Sequence, residues 1–129
     1  MTAQDYIEFI SARVPYKYYP YAFPTSSQDA CAVVKPYGGL PKTVDTKIER
    51  PSFQVLVRGD KFDIESTEAK AIEIYEALSS LQEVIIGGRG VTRIQGLGSG
   101  PVYIGMDSND RPQFSVNFGL TVRPGRRAF

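Results

Sequence analysis

The most regular pattern of the chain lies near its C-terminal end. Phe114, Val116, Phe118, Leu120 and Val122 alternate with Gln113, Ser115, Asn117, Gly119 and Thr121. A period of two predicts an antiparallel strand with one buried face and one wet or partner-facing side. Residues 102–106 predict a strand before it, and Asp107-Ser108-Asn109-Asp110 a polar turn joining the two as a hairpin. A further strand is predicted over residues 91–97, among glycines at 87, 88, 90, 96, 98 and 100. Upstream, Phe53, Val55 and Val57 alternate with Gln54, Leu56 and Arg58, and Ala30-Cys31-Ala32-Val33-Val34-Lys35 reads as a short, mostly buried strand. Pro36-Tyr37-Gly38-Gly39-Leu40-Pro41 breaks that strand, and residues 42–50 carry charge and threonine without a clean period.

Two segments have the helical period instead. Thr2 caps the first, with Asp5 three residues on, and Tyr6, Phe9, Ile10 and Val14 share a face until Pro15 ends it. Ser66 or Thr67 is predicted to cap the second, Glu68 suits the positive end of its dipole, and Ala71, Ile74, Tyr75, Leu78 and Leu81 form its apolar stripe. Between the first helix and the first strand, residues 15–24 hold three prolines and a run of tyrosines that need a surface to lie against. The order helix, strand, strand, helix and three strands predicts an α+β fold, a mostly antiparallel sheet flanked by two helices. The whole of 1–129 is expected to form a single domain, with a loop or arm at about 37–51. That connection is long for a small domain, a length typical of functional or arm-like segments.

Composition narrows the chemistry. A net charge of +1 lacks the basic excess of a dedicated duplex-DNA binder. The chain has no histidine, which removes the commonest general base and metal ligand, and its one cysteine allows neither an internal disulfide nor a cysteine-based zinc site. No apolar run approaches the roughly 20 residues of a membrane span. The opening Met1-Thr2-Ala3-Gln4-Asp5 does not read as a signal peptide, so a cytoplasmic chain is expected.

The remaining candidate motifs fail on detail. The glycine-rich stretch lacks the Gly-Lys-Ser/Thr of a phosphate loop, and Pro101 and a strand follow it where a dinucleotide site needs a helix. Arg58-Gly59-Asp60 spells an adhesion tripeptide, but a turn between strand and helix accounts for it. Asp107, Asn109 and Asp110 lack the glycine and the distal glutamate of a calcium loop. Cys31 sits in an apolar run without an activating base, and Glu73 with Glu76 reads as a solvated helix face. No catalytic residue, cofactor site or metal site is assigned. The tyrosines of residues 16–23 read as packing, with base or sugar stacking as the alternative; Arg89, Arg93, Arg123, Arg126 and Arg127 read equally as solvated charge or as phosphate contacts.

Gly38-Gly39-Leu40-Pro41 followed by Arg50-Pro51-Ser52-Phe53-Gln54-Val55-Leu56-Val57-Arg58-Gly59 resembles the central block of the tail terminator (minor capsid) proteins of long-tailed bacteriophages. Residues 71–81, with Ile-Tyr-Glu-Ala-Leu at 74–78, resemble the helix of that family, and residues 101–107 and 114–118 resemble its closing hairpin. The likeness runs over nearly the whole chain, and its specificity lies in the order of short motifs. It implies a non-enzymatic virion protein without cofactor, an α+β protomer that forms a homo-hexameric ring at the head-tail junction and is assembled in the host cytoplasm. The implied partners are the major tail tube protein, the head connector or stopper protein, and double-stranded DNA passing non-specifically through the centre, with no membrane. The expected subunit or tail interface is the arm, through Tyr37, Leu40, Lys42, Thr43, Asp45, Lys47, Glu49 and Arg50, and Arg89 and Arg93 are the expected channel-facing or DNA-facing residues. A head-closing or other neck protein is the alternative within this class. A small ligand-binding domain using the tyrosine-rich segment and a plain DNA-binding module are the alternatives outside it.

Overall fold

The computed structural model describes residues 1–42 and 44–124. In chain order the elements are α1 (Ala3–Ser11), β1 (Tyr18–Pro20), β2 (Cys31–Leu40), β3 (Arg50–Arg58), α2 (Ile64–Leu78), β4 (Gln82–Ile86), β5 (Arg89–Gly96), β6 (Val102–Met106) and β7 (Pro112–Val122). The fold is α+β, and all strand pairs are antiparallel except β1 with β2.

The strand with the cleanest alternation is the centre of the sheet. Along one edge β7 pairs with β3, Phe118 opposite Phe53 and Val116 opposite Val55. Its other edge is divided. β5 takes the stretch from Phe118 to Val122, and β6 takes the stretch from Pro112 to Ser115. The strands thus run β1-β2-β3-β7-β5-β4, with β6 lying end to end with β5 beside β7.

Both helices cover the same face of this sheet. α1 opens with a capping box: the Thr2 hydroxyl accepts from the Asp5 amide (3.2 Å) and the Asp5 carboxylate from the Thr2 amide (2.8 Å). Its Tyr6, Phe9 and Ile10, the Ala71, Ile74 and Leu78 of α2, and the inward residues of β2, β3, β5 and β7 form one core. An aromatic row crosses it, Tyr6 on Phe53 (4.5 Å), Phe53 on Phe118 (5.1 Å) and Phe118 on Tyr75 (6.4 Å), tying both helices to the two central strands. Gly96 leaves the space that Tyr75 fills, since a Cβ there would stand 2.5 Å from its ring.

Four elements differ from the sequence expectation. α2 starts at Ile64, capped by Asp63, whose side chain accepts from the Ser66 amide (3.1 Å). Thr67 is buried in the first turn instead, its hydroxyl donating to the Asp63 carbonyl (2.6 Å). β2 continues through Pro36 to Leu40, so the irregular connection shrinks to residues 41–49. Its pairing with β1 ends at Val34, and beyond that point the outer edge of β2 is open, where a proline costs no ladder bond. β1 and β4 were not foreseen. β1 has three residues and ends in a proline, and Glu83 in β4 adopts φ +52°, which interrupts any alternation.

Candidate assembly interface

The sheet face away from the helices is polar and partly covered. Gln54 and Asn117 both donate to the Ser115 hydroxyl (2.7 and 2.9 Å), closing the amide row across β3 and β7. At one end, residues 21–30 fold over β2 and β3, held by Arg58. Its guanidinium, buried with the residue only 4% exposed, donates to the carbonyls of Gln28 and Asp29 (both 2.9 Å) and to the Ser27 hydroxyl (3.1 Å), and lies 4.1 Å over the Phe23 ring. Its Nη2 also reaches the sulfur of Cys31 (3.4 Å), and burial pushes that thiol up from its ordinary range. The Arg58-Gly59-Asp60 tripeptide is therefore structural: Arg58 is inside, and a Cβ on Gly59 would strike the Thr67 hydroxyl at 1.6 Å.

The tyrosine segment is packing at its first two rings. The Tyr18 hydroxyl donates to the Val14 carbonyl (2.7 Å) and that of Tyr16 to the Arg58 carbonyl (3.1 Å). Burial, the largest cause, raises both phenols, Tyr16 to about 12. Tyr21 remains exposed.

At the opposite end of β2 and β3 stands the arm. Tyr37 is 44% exposed on β2, and Leu40, 65% exposed, pairs with Arg50 across a bulge at the arm's root. Leu40 and Arg50, with Ser52, Gln95, Leu97 and Thr121, line an open groove of about 420 Å³. Above the root, Lys42, Val44, Asp45, Thr46 and Lys47 are all exposed. The stem is fixed on one side. Glu49 bridges to Val122 through two backbone hydrogen bonds (3.1 and 2.9 Å), and its carboxylate lies 3.5 Å from Lys42 and 3.4 Å from Arg89. Burial works to raise the Glu49 pKa, but the hydrogen bond and charge of Arg89, with Lys42, outweigh it and hold the carboxyl below its ordinary value.

The expected interface residues thus divide. Tyr37, Leu40, Asp45 and Lys47 present side chains to solvent, Lys42, Glu49 and Arg89 form a clasp, and Thr43 lies outside the described residues. Arg89 also donates to the Arg123 carbonyl (2.9 Å). Arg93 sits opposite Thr121, exposed on the sheet face away from the helices. Arg123 pairs with Glu83, whereas Arg126 and Arg127 lie outside the described residues.

One surface that sequence reasoning named only as a strand is an apolar edge. Val102, Tyr103, Ile104 and Met106 of β6 are 60, 49, 52 and 38% exposed, and Ile72 of α2 adds to them around a shared hollow that includes Val102. The signal was in the composition: Val-Tyr-Ile-Gly-Met holds no charged side chain, and the Tyr103 hydroxyl is its one polar side-chain group. Such a strand at the rim of a sheet is either covered within its own chain or left for a partner.

The sequence profile of the bacteriophage tail terminator proteins matches residues 9–123. The chain belongs to that family. The match spans α2, all seven strands and the last three residues of α1. Among solved structures, a chain from the virion of a native gene transfer agent particle superposes with a TM-score of 0.65 at 13% identity, covering 88% of this chain and 84% of that one. A second solved structure gives 0.56 at 18% identity, covering 93% and 89%. No curated protein matches. At these identities the structures share the fold. The terminator family is one of structural proteins, so this chain is a structural component of a phage tail.

Among the described residues no three His, Cys, Asp or Glu side chains converge as metal ligands, and no helix is long and apolar enough to cross a membrane. Asp107, considered above as part of a calcium loop, is used by its own turn. It accepts from the amides of Asn109 (2.9 Å) and Arg111 (3.0 Å) and from the Arg111 guanidinium (2.9 Å).

Proposed function

We propose that this protein caps the phage tail tube, ends its polymerisation and joins the tail to the head connector as a hexameric ring at the head-tail junction. Membership of the terminator family over residues 9–123 carries the reading. The exposed arm supports it, because an element that projects without a core of its own gains order on meeting a partner. The arm, through Tyr37, Leu40, Lys42, Thr43, Asp45, Lys47 and Arg50, contacts a neighbouring subunit or the major tail tube protein, and the clasp at Glu49 sets its angle. Arg93 and Arg89 face the channel through which double-stranded DNA passes, and contact it without reading sequence.

Native mass by light scattering across a concentration range, with negative-stain images of any large species, tests the assembly. A closed six-fold ring with a central hole is the expected result. The role is tested in the phage. Loss of the gene is expected to give overlong or unattached tails, whereas leaking heads with normal tails would assign the chain to head closure and overturn the terminator role.

A further inference from the structure

We propose that the arm of one copy docks along the free edge of β6 of a second copy, so that subunits join head to tail. The inference rests on the ring reading above and names the two surfaces that meet.

Three observations converge on β6. Among the described residues it pairs with β7 alone, which leaves its outer edge open. The register with β7 slips between Tyr103 and Gly105, so Ile104 is the extra residue of a bulge and stands opposite no residue of β7. Its side chain and that of Val102 are more than half exposed, beside Ile72. Edge strands that stand alone are usually guarded by lysine, proline, inward charge or a bulge, and this one carries the bulge but no lysine, proline or charge.

The arm has the complementary features. Val44 is 78% exposed, and Thr46 follows two residues on; both are β-branched residues that suit an extended strand. In the free protein the arm is not extended: residues 44–46 form a turn, and Lys47 holds φ +62°, a left-handed conformation unusual for a residue with a side chain. Pairing along an open edge returns Lys47 to the extended region and gives the arm's backbone groups partners.

Charge decides the fit. Lys42 and Lys47 stand about 17 Å apart when the chain is extended, close to the length of the five-residue β6. Acidic side chains stand at both ends of β6. Glu76 borders the hollow at Val102, and Asp110 is exposed in the turn after Met106. Docking sets Val44 against Val102 and Ile104 and brings a lysine to each acidic end. Arm and acceptor are different surfaces of one chain, so the contact is heterologous and propagates from subunit to subunit until it closes.

Two variants separate donor from acceptor. Deletion of residues 43–47 removes the arm but keeps Glu49 and leaves a four-residue hairpin loop; Ile104→Lys blocks the edge at an exposed position and keeps the arm. Each is expected to stay monomeric where the wild type assembles, and an equal mixture is expected to form heterodimers that grow no further, read by light scattering. Complementation also shows that neither variant is merely unfolded. In parallel, Val44→Cys with Ile104→Cys is expected to give a covalent ladder on oxidation, while each single variant gives at most a dimer. Assembly of Ile104→Lys like the wild type, or a mixture that stays monomeric, overturns the docking. So does a wild type that is monomeric up to ~1 mM, because a chain carrying both halves must associate if they bind; capping templated by the tail tube would survive that result. Conversely, docking in vitro beside normal tail lengths in a phage lacking the gene would remove the terminator role and leave the contact intact.

Discussion

Two side chains, Arg58 and Asp107, hold irregular segments in place through hydrogen bonds to the backbone around them. Arg58 looked like part of a turn motif; it is a buried strut that organises residues 21–30. Arg58→Ala strands the carbonyls of Gln28 and Asp29 under the loop, and we expect a loss of about 2–4 kcal/mol in denaturant unfolding, with the ring of Phe23 becoming exposed. Asp107 is the second. Burial works to raise its pKa, but hydrogen bonds from Arg111 and Asn109 outweigh it and hold the carboxyl below the ordinary aspartate range. A lowered folded value means that its contribution is complete above the ordinary aspartate range and is lost as the pH falls through the folded value. Asp107→Asn is therefore expected to cost about 1–2 kcal/mol at neutral pH. Its stability should also fall less steeply than that of the wild type below about pH 4, measured by urea unfolding across that range.

At the level of elements, the arm is the place to intervene. Deleting residues 43–49 is expected to abolish ring formation or tail binding while the far-ultraviolet circular dichroism and the cooperativity of unfolding are retained. A folded deletion variant that still binds would remove the arm from the assembly. The alternation of β7 and of Phe53, Val55 and Val57 in β3 showed the central strands from sequence, because each has one buried face, and the capping box showed α1. The arm's location was legible too, since a stretch without period between two strands has few other forms. Its root was not: β2 passes through Pro36 because its neighbour has already ended, a tertiary circumstance that local sequence does not carry. The clasp of Lys42, Glu49 and Arg89 was hidden for a similar reason, as it joins residues 40 positions apart. β6 was seen as a strand but not as an exposed one, because exposure depends on β5 and β6 sharing one edge of β7 and leaving nothing to cover the second.

For the whole molecule, the division of faces separates tasks. Helices and core lie on one side of the sheet, and the polar amide row, the groove at the arm's root and Arg93 lie on the other. An assembly protein needs this separation, because contacts made during growth should not disturb the packing that holds the protomer together. The position of β7 has a further consequence. It is the last of the described elements and also the middle of the sheet, with β3, β5 and β6 all bonded to it. During synthesis the strands β1 to β6 therefore leave the ribosome before it, and the edge of β3 from Ser52 to Arg58 stays uncovered until residues 113–119 of β7 emerge. The two parts of the sheet, β1-β2-β3 and β4-β5, are therefore united only once β7 has been made, and a product that stops short of this strand cannot join them.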